Sequence, residues 1–420
     1  MAATVITDRA AEVIARCVRL ASFTEDPGST RRTFLSPPMR NCHQEIIGWM
    51  EPLGVTVHVD AAGNLRGLYP GAQPESPRLV IGSHLDTVPN AGAYDGILGV
   101  VLGVALLEAL QGRKLPFSIE VVGFSEEEGV RFGTPFIGSR ALVGRLDHRL
   151  LDVRDAQGIS VRRAIEDFGL NPNEIPQAEL KNDTLGYLEF HIEQGPVLET
   201  LNQPLAAVDA IAGQSRMEFT FLGRGNHAGT TPMNLRADAL AGAAEWISAA
   251  ERLAHHVPGL VATVGQIEAK PGAVNVIPAA ARLSLDVRHS SDHVRTRAVE
   301  DLVERAKDIA RRRGLSVRES VLLNQAAVAM DPFLTAEIEG AIRKTGCNPH
   351  RMVSGAGHDA MILAEKVPAA MIFLRTPSGI SHDTAESVSG EDVEKAIECG
   401  LHLLDQLASA PEFQTRMNRA

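Results

Sequence analysis

A chain of 420 residues is longer than one hydrophobic core usually serves, so the sequence predicts two domains. Its 44% hydrophobic and 22% charged content is ordinary for a globular protein in water, and no apolar run approaches the ~18 residues of a membrane span. A net charge of -11, with no basic run beyond Arg311-Arg312-Arg313 at a helical end, argues against a nucleic-acid partner.

The four cysteines, at 17, 42, 347 and 399, show no C-x-x-C spacing. That predicts neither a disulfide framework nor a thiolate metal site, and a reducing, cytoplasmic location. The first segment carries both signs of charge throughout, so an amphipathic helix over 7–22 is expected and not a signal peptide. An irregular loop follows to residue 40, with Asp26-Pro27-Gly28 and Pro37-Pro38. Next come a helix over 40–53 stopped by Gly54, a strand over 55–59 and a turn at Asp60-Ala61-Ala62-Gly63-Asn64.

A strand over 78–83 then delivers His84 and Asp86, and Asp95 follows in a Gly-rich turn, Ala91-Gly92-Ala93-Tyr94-Asp95-Gly96. Imidazole and carboxylate are the usual ligands of zinc-like ions, and a second carboxylate can orient the first ligand. A polar loop after a core strand is the plain alternative. An apolar helix over 96–110 leads to a strand over 117–124, which runs into Ser125-Glu126-Glu127-Glu128-Gly129. Acidic triplets are usually solvated helix faces. This one sits in a tight turn after a buried strand, where one carboxylate can ligate a metal while its neighbour stays free as a general base.

Helical segments fill 139–180, and a strand over 185–191 ends in His191-Ile192-Glu193-Gln194-Gly195. Much later a strand over 368–374 precedes Pro377-Ser378-Gly379-Ile380-Ser381-His382-Asp383. Strands alternating with helices predict an α/β sheet. Ligands of such sheets gather beyond the carboxyl ends of the strands, where each of these four strands delivers His, Asp or Glu. A lone histidine is more often a satisfied polar residue; His58, His148, His255, His256, His289, His293, His350 and His402 are read as surface or structural.

The middle of the chain reads β-α-β-β-α-β, with strands at 218–222, 260–269, 281–288 and 315–322 and helices at 236–253 and 292–313. That order is ferredoxin-like. It predicts a compact domain over 213–327 inserted between 1–212 and 328–420, the two parts of the α/β domain. His227, Asn275 and Arg288 stand at turns or a strand end of the insert. An Arg and an Asn so placed can bind a substrate carboxylate, against the simpler readings of a surface charge and a loop cap.

Taken together, Asp26-Pro27-Gly28, GSHLDTVPNAGAYDG, FSEEEGVRF, HIEQGPVLE, GNHAGTTPM, NVIPAAARLSLDVRH, SGAGHDA (354–360) and GISHDTAE (379–386) resemble the M20-type metallopeptidase superfamily. Within it they resemble the amidase, hydantoinase/carbamoylase branch. That branch holds N-carbamoyl-L-amino acid hydrolases, allantoate amidohydrolases and β-ureidopropionases. The resemblance spans essentially the whole chain; Ser29 departs from it, standing where the branch often has a second Gly.

The resemblance implies a zinc-peptidase-like catalytic domain, a mixed sheet flanked by helices, and an inserted lid that forms a homodimer. It implies two divalent metal ions, zinc first and otherwise manganese, cobalt or nickel, sharing Asp95. His84 and His191 complete one site, Glu128 and His382 the other. Glu127 is implied as the general base, with Asp86 steadying His84. Gln194, His227, Asn275, Arg288, Gly357 and His358 match positions that hold substrate, and His227, Asn275 and Arg288 are implied to reach the partner subunit's site. His191, where M20 peptidases carry an acidic ligand, counts against a peptidase. The expected activity is hydrolysis of a ureido C–N bond in a small carboxylate-bearing substrate.

Overall fold

The computed structural model describes Ala2 to Asn418, with side chains from Ile6 onward. It divides into two units. The first comprises Met1–Asp209, Met330–Met352 and His358–Ala420; the second comprises Ala210–Ala329 and Val353–Gly357.

After the helices Ala2–Ala21 and Pro37–Met50, the first six strands in chain order are β1 (Thr56–Val59), β2 (Leu65–Tyr69), β3 (Arg78–His84), β4 (Ser118–Phe124), β5 (Thr184–Ile192) and β6 (Leu205–Ile211). The second unit adds β7 (Gly213–Leu222), β8 (Val261–Thr263), β9 (Ile267–Lys270), β10 (Ala280–His289) and β11 (Ser316–Gln325). Two short strands, β12 (Val328–Ala329) and β13 (Arg351–Ser354), precede β14 (Ala369–Leu374).

In the first unit the strands run in the order β1-β2-β4-β3-β5-β14-β6. The four central strands, β4, β3, β5 and β14, are parallel, and the outer pairings are antiparallel. Parallel strands buried on both faces read as continuous apolar runs. Strands β4, β5 and β14 are buried at every residue. Because the four share one direction, their carboxyl ends lie along one edge, and every segment leaving them starts from that edge.

The helix Ile97–Ala109 is apolar on all sides and buried from Ile97 to Leu107, as a helix wedged within the core must be. At Gly99 a Cβ would stand 2.2 Å from the Phe190 carbonyl oxygen, so only glycine lets this helix lie directly on β5.

Four strands of this sheet were not expected: β2, β6, and the short β12 and β13, which both pair with β6. Leu-Arg-Gly-Leu-Tyr lacks the alternation that marks a half-buried strand, because every residue of β2 but Leu68 is buried. The helices Pro332–Lys344 and Gly390–Ser409 also exceed the expectation, and both bury an amphipathic face in this core.

The second unit's sheet is wholly antiparallel in the order β11-β7-β10-β8, with β9 also on β10. The helices Ala239–His256 and Asp292–Arg312 bury Trp246, Leu302 and Ile309 against Phe219, Phe221 and Leu283. The strand expected over 260–269 is two strands, β8 and β9, interrupted around Gly265. Val353–Gly357, far along the chain from the 213–327 segment, also clusters with this unit.

Candidate active site

The segments that leave β3, β4, β5 and β14 carry the predicted ligands. His84 is the last residue of β3, Glu127 and Glu128 follow β4, His191 is the penultimate residue of β5, and His382 follows β14. Asp95 lies in the turn before the buried helix Ile97–Ala109. His84, Asp95 and His191 bring ligand atoms within 4.8 Å of one another, and so do Asp95, Glu128 and His382. The structure therefore gathers His84, Glu128, His191 and His382 around Asp95.

Hydrogen bonds orient the rings. His84 Nδ1 lies 3.0 Å from the Asp86 carbonyl oxygen, and His191 Nδ1 lies 2.9 Å from that of Ile192. A carbonyl only accepts, so each Nδ1 carries a proton, and each Nε2 presents a lone pair when its ring is neutral. Those Nε2 atoms face each other at 3.5 Å and face Asp95 Oδ1 at 3.9 and 3.3 Å. On its other side, Asp95 Oδ2 lies 3.1 Å from His382 Nε2. Lone pairs and carboxylate oxygens held this close repel unless cations lie among them, and nitrogen-plus-carboxylate donors suit divalent transition metals.

Burial opposes charge on His84, but the Asp86, Glu127 and Asp95 carboxylates around it raise its pKa well above the ordinary imidazole value, so the cluster draws in positive charge. Burial, and then the neighbouring Asp95 carboxylate, push Glu128 up to about 7. Burial and Glu128 raise Glu127 well above the ordinary carboxylate range. Burial drives His191 down to about 4, toward the neutral form that ligates. Buried carboxylates crowded in this way need positive charge beside them to stay ionised. The residues present fit a metal centre.

Asp86 was expected to steady His84 with its carboxylate. One carboxylate oxygen lies 3.6 Å from His84 Nδ1, at ion-pair distance, while the Asp86 backbone carbonyl makes the hydrogen bond to that nitrogen. The carboxylate accepts the backbone N–H groups of Glu127 at 2.9 Å and Glu128 at 3.0 Å. The Asp86 side chain thus borders His84 and ties down the acidic turn.

Gln194, at a positive φ of 57°, donates from Nε2 to Asp95 Oδ1 at 3.0 Å and so borders the cluster. His358 is buried with its ring centroid 4.4 Å from that of His191.

Two carboxylates that the sequence reading passed over also belong here. Glu386 accepts the N–H groups of Tyr94 and Asp95 at 2.8 and 3.0 Å and the Ser381 hydroxyl at 3.1 Å, joining the two turns that carry Asp95 and His382. Glu189 is fully buried on β5, accepts from Ser83 Oγ and the Ala360 N–H, and forms a further possible ligand group with His191 and His358. The available signals were the last residue of GISHDTAE and an acid inside an otherwise apolar strand.

The other predicted residues, His227, Asn275, Arg288 and Gly357, belong to the second unit. His227 is exposed and pairs with Val276 in an isolated bridge, while the Asn275 carbonyl accepts the Ala228 N–H at 2.9 Å. His227 Nδ1 accepts the Gly229 N–H at 3.0 Å, leaving Nε2 protonated and free to donate. Arg288 stands near the far end of β10. At about 3.3 Å per residue, roughly 26 Å of strand separates it from the end nearest Asn275. Arg288 thus stands toward the opposite end of β10 from the segment that carries His227 and Asn275.

A parallel sheet whose carboxyl edge gathers imidazoles and carboxylates around one aspartate defines a metal-dependent hydrolase of the α/β class. Comparison with known proteins narrows this. The model of the peptidase family M20/M25/M40 matches residues 80–406. The chain is 39% identical to an N-carbamoyl-L-amino acid amidohydrolase of Geobacillus stearothermophilus, over 94% of this chain and 97% of that one. It is 37% identical to an allantoate deiminase of Arabidopsis thaliana, over 95% and 82% of the two chains. A crystal structure of an amidase of the hydantoinase/carbamoylase family from Burkholderia multivorans superposes with a TM-score of 0.89 at 30% identity, covering 94% and 97%. The chain belongs to the M20/M25/M40 family, and these two relatives carry the names of an amidohydrolase and a deiminase, not of peptidases.

Proposed function

We propose that the protein hydrolyses the ureido C–N bond of N-carbamoyl-L-amino acids. In this reading two divalent cations, zinc first among the candidates, sit on either side of Asp95. His84 and His191 hold one, and Glu128 and His382 the other. The observation that carries the reading is the set of three imidazole Nε2 atoms aimed at the two oxygens of Asp95. Bound metal would polarise the substrate carbonyl and make water acidic near neutral pH.

The chain's own groups do the rest. Glu127, its turn held by Asp86, takes the proton of the attacking water and returns it to the nitrogen that leaves. Water oxygen bonds to the carbamoyl carbon, the C–N bond breaks, and the products are the free amino acid and carbamate, which decays to ammonia and carbon dioxide. His227 Nε2–H donates to the oxyanion as it develops. Asn275, Gln194, His358, Gly357 and Arg288 orient the substrate, with Arg288 receiving its carboxylate. The separation of Arg288 from His227 and Asn275 along β10 supports a homodimer in which the inserted unit acts as a lid. One copy would then supply His227 and Asn275 and the other Arg288.

Allantoate is the second reading, favoured by a similarity to allantoate deiminases nearly equal to that for the carbamoylases. An ammonia-release screen of metal-loaded protein separates the two. It covers N-carbamoyl-L-amino acids, their D forms, allantoate, β-ureidopropionate and dipeptides. N-carbamoyl-L-amino acids should give the highest kcat/KM. A higher value for allantoate selects the second reading, and turnover of dipeptides alone overturns both.

A further inference from the structure

Side chains alternate along β10, and Asp286 and Arg288 share the face turned away from the second unit's core. Arg216 stands directly opposite Asp286 on β7. Arg288 donates from Nε to Asp286 Oδ1 at 2.9 Å and from Nη2 to Oδ2 at 3.0 Å, and Arg216 Nε donates to Oδ2 at 3.0 Å. Gln214 Nε2 adds a fourth donor at 2.5 Å. Arg288 Nη1 is tied to the Gly355 carbonyl at 2.6 Å. One N–H is left over on each terminal nitrogen, and an end-on fork to a carboxylate uses one from each. The group borders a cavity of about 800 Å³ within the second unit, whose lining includes the exposed apolar residues Val261, Leu322 and Val353.

We propose that Asp286 is a positioning residue: it locks the Arg288 fork toward the cavity, while Arg216 keeps the cluster net positive, so that the cavity receives a small aliphatic carboxylate. This rests on the reading of Arg288 as the substrate's carboxylate anchor. Two guanidiniums around one carboxylate leave a single positive charge, enough to attract an anion, and an arginine held at three of its nitrogens loses little rotamer freedom when it binds. Burial would raise the Asp286 pKa, but Arg288 and Arg216 hold it below the ordinary range, so it stays ionised as a clamp.

The sign of one substitution decides the matter. By net charge alone, Asp286→Asn makes the cavity more positive and tightens anion binding; as a positioning residue its loss loosens it. Calorimetric titration of metal-loaded protein with 4-methylpentanoate and with 4-methylpentanamide reads this without turnover. In the wild type the carboxylate should bind more tightly than the amide. Asp286→Asn should weaken the carboxylate about tenfold and leave the amide unchanged. Arg216→Gln, at a more exposed position, should weaken the carboxylate by a smaller factor. In an Arg288→Ala background, Asp286→Asn should add no further loss, which separates action through Arg288 from a general disturbance or from carboxylate binding at the metals.

Equal or tighter carboxylate binding by Asp286→Asn, an additive loss in the Arg288→Ala background, or no preference for carboxylate in the wild type overturns the proposal. If the carboxylate preference depends on Asp286 while no ureido compound is turned over, the proposed activity fails and the anchor stands.

Discussion

Asp86 holds the peptide nitrogen of Glu127 at 2.9 Å, and its second carboxylate oxygen holds that of Glu128 at 3.0 Å. One carboxylate on the β3 side therefore sets the turn that carries both the proposed base and a proposed ligand. Asp86→Ala should cut kcat by roughly 10–100-fold, the usual cost of losing such a support. Because the His84 ring is held by the residue-86 backbone carbonyl, metal at the His84–His191 site should be retained. Elemental analysis beside the kinetics checks this; loss of both metals would return Asp86 to the role of a His84 support.

Glu127 should be dispensable for metal and needed for turnover. Glu127→Gln keeps the shape and removes the base, so kcat should fall by about 10²–10⁴ with the metal content unchanged. A variant that stays fully active would place the proton acceptor elsewhere.

Gly96 joins the Asp95 turn to the buried helix at a φ of 70°, and a Cβ there would lie 2.4 Å from the His84 ring. Gly96→Ala should therefore disturb a ligand and cost at least ~1 kcal/mol of backbone strain. The expected result is a lower Tm together with reduced metal occupancy. An unchanged metal titration would mean that the ring has room to turn.

His43, in the helix Pro37–Met50, is buried with its ring 5.9 Å from that of Phe168. Burial, reinforced by Arg32 and Arg40, pushes its pKa down to about 3 from 6.5. The folded state thus holds it neutral, while the unfolded chain takes up a proton below about 6.5. Its contribution is complete above that pH and is lost as the pH falls toward 3, at up to ~1.4 kcal/mol per pH unit. Urea unfolding of the wild type between pH 7 and 4.5 should show this loss, and His43→Leu should flatten it. A slope unchanged in the variant would assign the acid sensitivity to other groups.

How much of this was legible in the sequence depended on distance along the chain. The choice of Glu128 as ligand and Glu127 as base came from the family resemblance. That His84, Asp95, the acidic turn 126–128, His191 and His382 meet could be read because strand signals precede them and parallel strands put their carboxyl ends on one edge. The β-α-β-β-α-β rhythm of the middle segment was legible for the same reason, its strands and helices having clean local periods. β2 escaped because it is buried on both faces and does not alternate.

Tertiary structure alone decided which partner each polar group takes. The Asp86 carboxylate turned to the Glu127 turn, Glu386 bonded the Asp95 turn from the other end of the chain, and Asp286 closed on Arg288 with Arg216 from the facing strand. Only the run of β10 showed that Arg288 and Asn275 stand far apart. A hydrogen bond needs atoms within about 3 Å and in line. A residue pattern says what kinds of group are available, and only the packed chain brings particular atoms that close.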